Sequence, residues 1–169
     1  MCATKSFRNK RFPINNSNKD SSSKDTSLLF VIWDFFFINS LNGSSYSIKF
    51  DTSNIDALLD LSDNEMEPII IGLLKWTQDM NWPVAVKIVD VLIHRGRILE
   101  PYIIDILSPE QNDDIWKYWI ISDLIPKLTD KPSQRIISEI NRIAEYPTNG
   151  ELAEEVNIVA KNTLRKLFG

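Results

Sequence analysis

One cysteine, one histidine and five glycines in 169 residues leave little of the usual equipment for redox, metal or phosphate chemistry. Cys2 has no partner for an internal disulfide, which suits a reducing, cytoplasmic compartment. His94 is the sole imidazole and lies far from Cys2 along the chain, so one chain does not offer a His/Cys zinc set. No glycine-rich phosphate loop, H-E-x-x-H or G-x-S-x-G string occurs. No catalytic residue, cofactor or metal ligand is assigned on these grounds, and the chain reads as a non-enzyme. Long apolar runs are missing as well. The longest, Leu28 to Ile38, has eleven residues and carries Asp34 inside it, which is too short to span a bilayer. Basic residues precede it, yet a long polar spacer and the lack of a small-residue cleavage pattern argue against a secretory signal.

Charge is present in quantity and unevenly placed. Residues 1–49 carry seven Lys or Arg and three Asp or Glu, a net of +4. Residues 50–169 carry twelve against twenty, a net of −8. An acidic body offers no basic stripe to neutralise phosphates, so neither nucleic acid nor an anionic membrane surface is expected as a partner. Ser, Asn, Lys and Asp dominate from Asn15 to Ser27, a composition too polar to bury much. Two regions are expected: a low-complexity or loosely ordered extension over 1–47, and a helical-repeat domain over 48–169.

From Phe50 onward the apolar residues recur at helical spacing. Asp51 is placed to cap a short helix carrying Ile55, Leu58 and Leu59. Val84, Ile88, Val91 and Leu92 repeat between Pro83 and Gly96, the expected order of Pro near a helix start and Gly just past its end. That places His94 and Arg95 in the last turn, against the negative end of the helix dipole. Further helices are read over about 98–107, 113–124, 133–145 and 151–168, with Thr148-Asn149-Gly150-Glu151 as a capping box. No segment alternates with β-branched enrichment, so strands have no support.

The chain also resembles itself. Glu67-Pro68-Ile69-Ile70-Ile71-Gly72-Leu73-Leu74 aligns with Glu100-Pro101-Tyr102-Ile103-Ile104-Asp105-Ile106-Leu107 at an offset of 33, and Val84 with Trp116 at an offset of 32. Each unit reads as a helix with Pro in its opening turn, followed by one begun by Asn or Asp. Asp113-x-x-Trp116-Lys117-x-x-Ile120-x-x-Asp123-Leu124 resembles the second-helix pattern of HEAT repeats. The expected architecture is all-α: a HEAT-like α-α superhelix of about six to seven short antiparallel helices.

Three rare segments stand out: Trp76-Thr77-Gln78-Asp79-Met80-Asn81-Trp82-Pro83, Asp113-Asp114-Ile115-Trp116-Lys117-Tyr118-Trp119, and Pro147 to Glu151 with Glu154-Glu155-Val156. In this order they resemble the hallmark segments of the domain-of-unknown-function family 5071, over about Ile48 to Leu167. The resemblance implies a small helical-repeat domain and lends no activity.

The candidate interaction patch comprises Trp76, Asp79, Asn81, Trp82, Asp114, Lys117 and Tyr118. Trp76 and Trp82 have two readings. They form either an aromatic grip for a partner, or a helix corner in which Asn81 caps the next helix, Asp79 holds a loop amide or an indole N–H, and both indoles pack on the core. Trp116 and Trp119, three apart, are expected on one buried face, leaving Lys117 and Tyr118 exposed. Glu151, Glu154 and Glu155 read as first-turn carboxylates favoured by the dipole rather than as metal ligands. The functional expectation is a protein–protein interaction module with an unknown protein or peptide partner and an oligomeric state left open. The alternatives are an immunity- or antitoxin-like inhibitor of a cognate protein, and a hydrolase using scattered carboxylates.

Overall fold

The helical periodicity resolves into eight α-helices linked by short 3-10 and π segments, with no strand among the described residues. The structure, a computed structural model, describes residue 52 and residues 55–169. The extension over 1–47, its apolar run and the cap expected at Asp51 lie outside the described residues.

A 3-10 helix at Ile55–Asp60 precedes α1 (Asp63–Met66), a 3-10 turn at Glu67–Ile69, and α2 (Ile70–Trp76). Ser62 and Glu65 close a reciprocal capping box that starts α1. α3 (Pro83–Leu92) buries Val84, Ala85, Ile88, Val89, Val91 and Leu92, the face its spacing predicts. α4 is Gly96–Leu107 and α5 is Asp114–Trp119. A π turn at Ile120–Leu124 and a 3-10 turn at Ile125–Lys127 prolong α5. α6 (Gln134–Glu145) buries Ile136, Ile137, Ile140, Ile143 and Ala144, positions that fall on one stripe of a 3.6-residue helix. α7 (Asn149–Ala153) and α8 (Val156–Phe168) complete the chain.

α2 lies against α3, α4 touches α5, and α6 forms its most extensive pairing with α8. Contacts also run between α4 and α6, between α3 and the π turn, and between α5 and α8. One apolar cluster threads through all of them, from Ile55 to Ala160.

Several local expectations are revised. The region read as one last helix is two, because Glu155 takes a left-handed conformation (φ 56°, ψ 21°) between α7 and α8. Glu154 and Glu155 are therefore not first-turn residues alongside Glu151. Gly96 does not end α3. It opens α4, while the amides of Ile98 and Leu99 donate to the Arg95 carbonyl. Pro101 consequently sits inside α4 rather than in its opening turn, on the exposed side. His94 and Arg95 follow α3 instead of finishing it. Arg95 reaches back to the end of the first 3-10 helix, donating to the carbonyls of Leu59 and Leu61, and to Asp63 at the start of α1. It thus satisfies carbonyls left open at the end of that segment.

Candidate functional site

The start of α5 brings together all three rare sequence segments. Asp113 is its N-cap, with Oδ1 accepting the Trp116 amide at 3.0 Å. Its other oxygen accepts from Gln78 Nε2 at 2.8 Å. The Trp116 indole N–H donates to the Thr77 hydroxyl at 2.9 Å, and that hydroxyl donates to the Leu74 carbonyl at 2.7 Å. Residues 77 and 78 of the first segment are thus fastened to residues 113 and 116 of the second. Trp116 is core, as its spacing predicts.

The third segment joins through charge. Lys117 has no solvent exposure, and its ammonium lies 2.9 Å from Asp114 Oδ1 and 2.9 Å from Glu151 Oε1. The surface position expected for Lys117 is overturned. Counted along α5 it looks solvent-facing, but α7 closes over it and supplies a carboxylate. Glu151 is also fully buried, and Arg142 from α6 meets it with two bonds, at 3.0 and 2.9 Å. The same Glu151 carboxylate accepts the Thr148 amide at 2.8 Å, closing the capping box foreseen in the sequence. Arg142 also donates to Glu139 and to the Leu107 carbonyl at the end of α4. Four helices, α4 to α7, are tied at one point.

Burial pushes the Glu151 carboxyl upward, but hydrogen bonds from Arg142, the Thr148 amide and Lys117, together with the Arg142 charge, outweigh it. Its pKa falls from 4.5 to about 2. The hydrogen bond to Glu151 raises the Arg142 guanidinium in turn. This carboxylate is held ionised and enclosed, which suits clamping rather than proton transfer.

Outside the cluster lies an open recess of about 510 Å3, lined by Gln111, Asn112, Asp113, Asp114, Ile115, Gly150, Ala153 and Glu154. Gly150 is needed there because a Cβ would collide with Asp114 Oδ2. Among the described residues no three His, Cys, Asp or Glu side chains are grouped to hold a metal ion.

Four further patch residues, Trp76, Asp79, Asn81 and Trp82, lie around the α2–α3 corner. Trp76 and Trp82 are half-buried and pack on the core. Asp79 accepts both the Asn81 amide, at 3.0 Å, and its side-chain N–H, at 2.8 Å, so the loop-holding role is observed. The N-cap of α3 is Trp82 rather than Asn81, which is exposed one position earlier. Tyr118 is half-buried against the core and meets Trp119 edge to face, with ring centroids 5.1 Å apart. Its expected exposure is corrected, and Trp119 is only partly covered. Sequence reasoning missed Glu139 and Arg142. An arginine on the half-buried flank of α6 carries no local signal of a partner nine residues later.

The fold and this junction define an all-α domain fastened by a buried ion cluster. Its sequence matches the profile of the family described as Domain of unknown function (DUF5071) over residues 47–164. The chain belongs to that family. No curated protein matches it.

Proposed function

We propose that this domain is a non-enzymatic protein-interaction module whose helix pairs stack in HEAT-like fashion. Contacts between first helices (α4 with α6) and between second helices (α3 with the π turn, α5 with α8) support the stacking. The observation that carries the interaction reading is the recess between α5 and α7. It is concave, open to solvent and backed by a fully enclosed Lys117–Glu151 pair. A rigid backing lets a recess bind without first ordering itself. No helix of the described residues is long and apolar enough to cross a membrane.

The test is affinity capture from the source cell with the intact chain, compared with an Ala153→Trp variant that fills the recess. A stoichiometric partner retained by the parent and lost by the variant supports the reading. Absence of any partner overturns it. The net charge of −8 over residues 50–169 also favours a narrower reading, an inhibitor that covers a basic toxin. A chromosomal neighbourhood without a toxin-like gene would dispose of that version.

A further inference from the structure

The recess has a chemistry of its own. Asp113, Asp114 and Glu154 supply carboxylates to its lining, and among the described residues no lysine or arginine lines it. Two of these carboxylates have duties in the fold: Asp113 caps α5, and Asp114 faces Lys117. Glu154 is exposed, and its carboxylate makes no hydrogen bond or ion pair among the described residues. The wall between the acids is apolar and slight. Gly150 and Ala153 present almost no side chain, and Ile115 is 50% exposed beside them. A half-exposed isoleucine next to an unpaired carboxylate matches a ligand with an aliphatic stem and a cationic head. A bare metal ion would make no use of Ile115, and an anionic ligand would be repelled.

We propose that the recess takes a lysine or arginine side chain presented by a partner protein with a basic surface. The stem lies along Ile115 and Ala153, and the head reaches Glu154. The charge of the body favours the same partner, because a net −8 attracts a basic surface. This inference rests on the interaction reading and narrows it to one partner chemistry.

The test uses the full chain labelled with 15N and titrated with an amidated peptide of alternating leucine and lysine. The counterpart with glutamate for lysine serves as control. Amide shifts concentrated at 111–115 and 150–154 are expected for the lysine peptide alone. Ala153→Trp and Glu154→Lys, both at exposed positions, are each expected to weaken binding about ten-fold or more. Shifts of equal size over the whole acidic surface, no binding, or unchanged affinity in both variants would overturn the proposal. If a captured partner binds the filled variant as well as the parent, the recess assignment fails while interaction elsewhere stands. If no partner is captured at all, the interaction reading itself fails.

Discussion

The ammonium of Lys117 lies 2.9 Å from Oε1 of Glu151, and neither side chain reaches solvent. The two residues are 34 positions apart and belong to separate rare segments of the sequence. Their pairing joins α5 to α7, and Arg142 extends it to α6 and to the end of α4. Buried ions of this kind are costly to expose singly, because the remaining charge loses both water and partner.

Removing the cation alone should therefore be severe. Lys117→Met leaves Asp114 without its ion partner and Glu151 with Arg142 only. A loss of about 3–5 kcal/mol in urea denaturation is expected. A double-mutant cycle with Glu151→Gln should return a coupling energy of about 1 kcal/mol or more. Additive effects would show that the pair contributes no interaction of its own.

Acid should act through the same carboxylate. The folded pKa of Glu151, about 2, lies below its ordinary value of 4.5, so the folded state binds its proton less readily than the unfolded chain. The resulting stability is complete above pH 4.5 and is lost as pH falls toward 2. Glu151→Gln should flatten that acid limb and lower the plateau near neutrality. Thermal melts of parent and variant across this range check both signs.

Two glycines should respond oppositely to a methyl group. Gly96 opens α4, and an added Cβ would meet Asp130 at an ordinary 3.7 Å. Gly96→Ala should be neutral or stabilise by up to about 1 kcal/mol. Gly150→Ala drives a Cβ into the Asp114 carboxylate, which is held by Lys117 and cannot retreat cheaply. A loss of about 1–3 kcal/mol is expected. Equal responses at the two sites would contradict the geometry.

Trp116 separates packing from hydrogen bonding. Trp116→Ala should cost about 3–5 kcal/mol as a large core truncation. Trp116→Phe keeps most of the ring and removes the donor to Thr77, so its cost should include about 1 kcal/mol for that bond. Trp82 is half-buried, so Trp82→Ala should cost less than Trp116→Ala. Chemical denaturation ranks the three.

Much of the architecture was legible from particular positions. The helix over about 133–145, the Pro83 start of α3 and the Thr148–Glu151 box follow from spacing and capping chemistry, and each occurs as read. The boundaries around Gly96, Pro101 and Glu155 did not follow, since they depend on neighbouring carbonyls and on a left-handed residue that carries no glycine. Within the candidate patch, the Asp79–Asn81 loop bond was foreseeable because its partners are two residues apart. Lys117 was misplaced because helical phase locates a side chain on its own helix and is silent about what covers that helix.

The sequence by itself determined that this body is helical, where most of its helices run and which stripes of them turn inward. Those properties are local: periodicity, caps and turn residues act within a few positions. Only the tertiary structure decided that the three rare segments meet at the start of α5, that Lys117 is enclosed, and that the recess beside it stays open. Contacts such as Thr77 with Trp116 or Lys117 with Glu151 span 39 and 34 positions, and no local propensity encodes them. They exist because packing the apolar stripes leaves polar groups without water, and those groups then pair with whatever the neighbouring helix brings within reach.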